Sequence, residues 1–332
     1  MKRKILILMP SMFIGGAERS LIGLLEAIDY GSFHVDLFLY RHQGEFLSYI
    51  PETVNLLPEI KAYTTFDRPI RELLTEGSLH FAIARIMSKI ALRIRCIVKN
   101  EKDSGYKSMQ YTSRYLLPLL PRIRGEYDLA VNFIGMHHVL INKVSAKVKT
   151  GWMHTDYTRI DPFLKMDEKM WSGLDYAVNV SEECTRAFQR GLPHISHKCI
   201  TIENIISEKF VRSQAHEDVS QEMPDMEGEL KLCSVGRFCE AKNFDNVPDI
   251  CKRIIEKNHK IKWYLIGYGT DEGVIREKIK ENGMEENVII LGKKVNPYPY
   301  INACDIYVQP SRYEGKAVTV REAQILCKPV II

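Results

Sequence analysis

The run KILILM at residues 4–9 sets the first constraint on this chain. After its lysine, every position is apolar and nothing alternates. A strand of that kind is buried on both faces, the condition of a parallel sheet covered by helices. IGGAER follows at 14–19, and a helical apolar spacing then runs over about 17–27. Residues 35–40, 127–133, 150–153, 176–180 and 199–202 read as further short strands, with helical patterns between several of them. The alternation predicts an α/β protein with a parallel, doubly wound sheet. The polar stretch SQAHEDVSQEMPDMEGE at 213–229 reads as a surface loop. Beyond it the pattern restarts, with strands at 231–235, 262–266, 287–291 and 306–309. Helices are expected at about 247–257, 271–282, 298–303 and 317–327. The chain therefore reads as two Rossmann-like domains, 1–204 and 205–332, with the boundary near Asn204.

With 332 residues, 45% of them hydrophobic and 27% charged, each half can bury a core of its own. A net charge of +4 is too weak to argue for nucleic acid but suits anionic ligands or an anionic membrane surface. The eight cysteines form no C-x-x-C pair and read as reduced, mostly buried thiols of a cytoplasmic protein. No apolar stretch has the length of a membrane span. The sequence stops at KPVII, which reads as an unfinished strand and suggests a further C-terminal piece. Residues 68–124 stand apart as a helical, basic insertion in which Arg71, Arg85, Lys89, Arg93, Arg95 and Lys99 interleave with apolar residues. Such a helix either packs on its own domain with a solvated outer face or lies in a membrane interface.

Four stretches carry chemistry. In SVGRFCEAKNFDN, a predicted strand ends at a glycine turn, and Arg237 and Lys242 follow five positions apart. A guanidinium and an ammonium at a strand's carboxyl end suit a diphosphate, although two surface cations in a loop give the same pattern. Gly15 and Gly16 let the backbone approach a ligand closely at the start of a helix, or simply form a tight turn. His154 stands just past an apolar strand, where it can donate to an anionic or hydroxyl group or serve as a core histidine. His137 and His138 are adjacent and, on a strand, would face opposite ways, so no metal site is expected. No Asp-x-Asp is present to hold a divalent cation on a diphosphate. Lastly, YEGKAVTVREAQ places Glu314 and Glu322 eight residues apart around the start of a predicted helix. A diphosphate at that start would leave one carboxylate for sugar hydroxyls and the other for ribose, unless both are ordinary helix-face charges.

In this order, GGAER, HTD, GRFCEAKN and EGKAVTVRE resemble the family-4 retaining glycosyltransferases of the GT-B fold, and PSRYEGKAVTVREAQILCKPVI is similar to bacterial enzymes that build surface polysaccharides. The resemblance covers nearly the whole chain. It implies two Rossmann-like domains facing a cleft, with a C-terminal end still to come. It also implies a retaining, metal-independent transfer from an NDP-sugar, most often UDP-linked, to a glycan or polyprenyl-linked acceptor, with no cofactor. By that resemblance His154, Arg237, Lys242 and Glu314 are the catalytic residues, and Gly15, Gly16, Gly315, Lys316, Ala317, Val318 and Glu322 bind the donor. Where the family often has Gly-Phe-Gly after the first glutamate, this chain has Gly315-Lys316-Ala317, a departure that bears on donor-sugar preference. Peripheral membrane contact through 68–124 at the inner membrane face fits a lipid-linked acceptor. An NDP-sugar epimerase and a non-catalytic nucleotide-binding module are the competing readings.

Overall fold

A computed structural model describes residues 2–314 and 317–332. It comprises two compact units, Met1–Ile205 and Ile206–Ile332.

The first unit is built on a seven-stranded parallel sheet. Its strands are β1 (Arg3–Met9), β2 (Phe33–Leu39), β3 (Asn55–Leu56), β4 (Glu126–Asn132), β5 (Ser145–Met153), β6 (Tyr176–Asn179) and β7 (Cys199–Thr201), in the order β3-β2-β1-β4-β5-β6-β7. The KILILM run behaves as its composition requires. Leu6 and Leu8 enter one core layer, Ile7 and Met9 the other, and all four are essentially inaccessible. The helices are α1 (Gly16–Ala27), α2 (Ile70–Thr75), α3 (Leu79–Lys99), α4 (Gly105–Leu116), α5 (His138–Lys143), α6 (Leu164–Ser172) and α7 (Glu182–Gly191). His137 and His138 open α5 rather than lying on a strand. The two-residue β3 gave no readable signal in the sequence.

The insertion at 68–124 carries α2, α3 and α4. The inner face of α3 buries Phe81, Ala82, Ser88, Leu92 and Cys96. Two of its cations also turn inward. Arg85 donates to the carbonyls of Thr65, at 3.1 Å, and Arg68, and the Arg95 guanidinium lies 4.4 Å over the Phe163 ring. Arg85 is thus no part of a basic outer face. A buried carboxylate holds α4 to α6: Asp167 accepts from Tyr157 at 2.7 Å, Tyr106 at 3.0 Å and Gln110 at 3.0 Å. Among the described residues no helix is long and apolar enough to cross a membrane.

The second unit begins with α8 (Glu208–Ser213) and continues β8 (Leu230–Val235), α9 (Val247–Ile255), β9 (Ile261–Ile266), α10 (Glu272–Asn282), β10 (Val288–Gly292), α11 (Tyr298–Ala303), β11 (Ile306–Val308), α12 (Val318–Ile325) and β12 (Val330–Ile331). Its parallel sheet has the order β10-β9-β8-β11-β12, again with helices over both faces. The polar stretch 213–229 is not merely a surface loop. Ala215 and Met223 are buried in this unit's core, and Glu222 pairs with Lys294 and accepts from the Tyr300 hydroxyl. Two apolar anchors are too sparse to register against so many polar neighbours.

Each sheet reverses its winding once. The reversal falls between β1 and β4 in the first unit and between β8 and β11 in the second. Open α/β sheets bind ligands outside the carboxyl ends of the strands at such a point.

Candidate functional site

At the reversal of the second sheet, the loops that leave β8 and β11 are stitched together. Asn243 adopts a left-handed backbone conformation, φ 60°, and its Nδ2 donates to the Pro310 carbonyl at 2.9 Å. The Arg312 amide donates to the Ala241 carbonyl at 2.8 Å, and its guanidinium forks onto Asp245 at 3.0 and 2.7 Å. This fork holds the Asp245 carboxyl below the usual carboxylate range. Gly267, at φ 154°, lies so close beneath that a Cβ there would overlap the Gly236 carbonyl oxygen.

This frame aims Lys242 at Glu314. The Lys242 ammonium donates to Glu314 Oε1, and the same oxygen accepts from Ser311 Oγ at 2.6 Å and Gln309 Nε2 at 2.9 Å. Glu314 Oε2 takes no hydrogen bond among the described residues. Gln309 is buried, and its Oε1 accepts from the Tyr307 hydroxyl at 2.7 Å and the Thr319 hydroxyl at 2.9 Å. One amide thereby links β11, the carboxylate and the first turn of α12. Ala317 precedes that helix and offers it no side-chain cap, and the first turn holds no acidic residue. Among the described residues no side-chain oxygen caps its first N–H groups, the condition for holding an anion. Arg237 is exposed and makes no hydrogen bond or ion pair among the described residues. Glu322, in contrast, is wholly buried and accepts from the Tyr298 hydroxyl at 2.8 Å.

In the first unit His154 follows β5. Its Nε2 lies 2.8 Å from the Phe133 carbonyl, and its ring packs against those of Phe133 and Trp152. Burial pulls its pKa down to about 4, so at neutral pH the ring carries one proton. That proton belongs on Nε2, since only a donor can meet a carbonyl. Among the described residues the buried Nδ1 has no hydrogen-bond partner, and it carries the lone pair. His154 can therefore accept from a hydroxyl but has no N–H to spare for an anion, contrary to the donor expectation. Near the carboxyl end of β1, Gly15 precedes α1 in extended backbone, φ −166°. The Glu18 carboxylate folds back into the space a Gly15 Cβ would fill. A negative charge already sits at this helix start, which opposes the phosphate cradle expected of Gly15 and Gly16.

Residues 216–332 match the family model of glycosyl transferases group 1. The match falls within the second unit and covers most of it. The chain is 25% identical over 97 residues to a poly(ribitol-phosphate) alpha-N-acetylglucosaminyltransferase of Staphylococcus aureus, an alignment covering 29% of this chain and 20% of that one. It is 31% identical over 103 residues to the amylovoran biosynthesis glycosyltransferase AmsD of Erwinia amylovora, with 30% and 28% covered. The chain thus spans well under two thirds of the length of these curated relatives. In fold, the HepE structure from Anabaena in complex with UDP and glucose superposes with a TM-score of 0.63 at 15% identity, over 99% of this chain and 80% of that one. Each unit carries one of the two parallel sheets of the GT-B fold.

Within the second unit, Lys242, Glu314, Ala317 and Val318 gather at one sheet reversal, and Arg237 leaves the same β8 edge. Gly315 and Lys316 lie outside the described residues. Glu322 is placed under the helix rather than on an open surface, since position 322 turns with the buried Val320 and Ala323 toward the core. His154, Gly15 and Gly16 belong to the other unit. Sequence reasoning missed Gln309, Ser311, Arg312 and Asp245. Gln309 closes a predicted strand, and a buried amide at a strand's carboxyl end was the one signal available.

Proposed function

We propose that this chain is the sugar-transferring part of a retaining, metal-independent glycosyltransferase that moves a sugar from an NDP-sugar, UDP-linked, to a glycan or polyprenyl-linked acceptor in cell-envelope polysaccharide synthesis. The observation that carries the reading is the pairing of Lys242 with Glu314 beside the uncapped start of α12, inside the segment that matches the family model. The names of the relatives, among them an N-acetylgalactosaminyltransferase acting on a diphospho-undecaprenol in Campylobacter jejuni, support the class of acceptor.

Donor binding is assigned to the second unit. A diphosphate at α12 meets the first-turn N–H groups and Arg237, and it draws Lys242 from its carboxylate partner. Glu314 stays oriented by Gln309 and Ser311 and turns its oxygens to the donor's sugar hydroxyls. As the bond from the anomeric carbon to the phosphate oxygen breaks, negative charge grows on that oxygen, and the two cations offset it in place. The acceptor oxygen bonds to the same face of the carbon and its proton passes to the departing phosphate, so no protein nucleophile is needed. Acceptor binding is assigned to the first unit, where His154 Nδ1 can orient a hydroxyl by accepting from it. A lipid-linked acceptor brings the protein to the cytoplasmic membrane face, with 68–124 in contact.

A donor screen tests the reading. The chain is incubated with UDP-, GDP- and ADP-sugars, with and without polyprenyl-linked glycan acceptors, and free nucleotide is measured. Acceptor-dependent release from a UDP-sugar is expected. Conversion of the sugar without acceptor would identify an epimerase. Nucleotide binding without release across the panel would leave a non-catalytic module.

A further inference from the structure

α3 is apolar twice over. Its inner face fills the first unit's core, yet Leu79, Ile83, Ile86, Ile90, Ile94 and Ile97 point the other way, each with between 40% and 71% of its surface in solvent. Their spacings of four, three, four, four and three keep them on one line of a helix turning ~100° per residue. Met87 and Val98, exposed to a similar degree, widen the stripe on one side. Scattered exposed leucines need no explanation, but a continuous stripe about 30 Å long does.

Charge says what covers it. No Asp or Glu lies between Glu76 and Glu101, whereas Lys89, Arg93 and Lys99 are exposed on α3. By helical angle Arg93 and then Lys89 line one border of the stripe. An antiparallel two-fold pairing with a second copy would set that border against itself, cation on cation. A parallel pairing would find no carboxylate on the other border to meet it. An anionic bilayer surface suits both features, since lipid tails take the isoleucines while phosphate headgroups meet the lysine and arginine termini. A helix with this many charges cannot span the hydrocarbon, and one already packed along its other face can only lie flat.

We infer that α3 is a membrane-docking helix that lies in the plane of an anionic lipid surface with Leu79, Ile83, Ile86, Ile90, Ile94 and Ile97 buried in the interface. This deepens the membrane contact proposed above and rests on that reading for its purpose. It is tested without donor or acceptor, so its failure is separate from a failure of sugar transfer.

The test is co-flotation of the full chain with phosphatidylcholine vesicles, with or without 30% phosphatidylglycerol (~30 mol%, enough to set a negative surface potential). The chain should float with the anionic vesicles and much less with the neutral ones. The double variant Ile90→Glu/Ile94→Glu should lower the bound fraction at least tenfold, and Lys89→Glu/Arg93→Glu should lower it severalfold, as should raised salt. All four side chains are exposed, so both variants should keep the circular dichroism melt of the parent. Absence of flotation by the parent, or unchanged flotation of the isoleucine variant, overturns the inference. A dimer that the isoleucine variant dissociates, without flotation, would assign the face to a second copy and overturn it equally.

Discussion

The Lys242 ammonium donates to a carboxylate oxygen of Glu314, 72 residues further along the chain, and the Gln309 amide holds that same oxygen from the other side. The ion pair is partly exposed, with about a fifth to a quarter of each side chain in solvent, 21% and 24%. Pairs of that kind contribute about 0.2–1 kcal/mol to stability. Its importance lies in alignment more than in holding the fold together.

Lys242→Ala should therefore leave the melting temperature within a few degrees of the parent while lowering kcat for nucleotide release by ~10²–10³, the usual effect of removing one fixed donor to a developing anion. Steady-state release assays beside a thermal melt check both halves. An unchanged kcat would remove Lys242 from the chemistry.

Gln309→Leu acts differently. It leaves the buried Tyr307 hydroxyl to the more distant Val235 carbonyl, the Thr319 hydroxyl short of an acceptor and Glu314 short of a donor. A loss of about 1–3 kcal/mol is expected by urea unfolding, because an unsatisfied buried polar group keeps its desolvation penalty. Activity should fall with it. Gln309→Glu should be worse, since it sets a second carboxylate against Glu314.

Glu322→Leu distinguishes two roles for one residue. Buried against Tyr298, the carboxylate is a structural partner, and its loss should destabilise the second unit by about 1–3 kcal/mol. A variant of undiminished stability whose donor KM rises would instead support ribose binding.

The first unit should lose stability in mild acid. Burial lowers the pKa of His137 to about 3 and of His138 and His154 to about 4, while the unfolded chain titrates near 6.5. Between those values the unfolded state binds more protons, so stability is full above about pH 6.5 and falls as pH drops toward 4. Urea midpoints at pH 7 and 5 measure the slope. His154→Asn should make it shallower, and an equal slope would show that His154 does not titrate in this window.

The sheets were legible because KILILM and its counterparts are apolar at every position, a pattern no half-exposed strand can carry. Lys242 and Glu314 were legible as types at the right strand ends. That they touch was not, because the contact depends on Asn243, Arg312 and Asp245 drawing two loops together across the sheet reversal. The burial of Arg85 and Glu322 was not legible, for a shared reason. A charged residue in a helix reads as solvent-facing, and only the packing shows that carbonyls or a tyrosine hydroxyl wait on the inner side. The proton on His154 was equally hidden, since it follows from the Phe133 carbonyl 21 residues earlier.

If α12 holds the donor as proposed, the salt bridge at its mouth also acts as a filter. A small inorganic anion that pulled the lysine away would leave Glu314 with only the neutral donors Gln309 and Ser311 among the described residues. A molecule bringing hydroxyls together with its phosphates satisfies both halves of the divorced pair. Discrimination against the abundant salts of a cell would then belong to the resting state, before any substrate arrives.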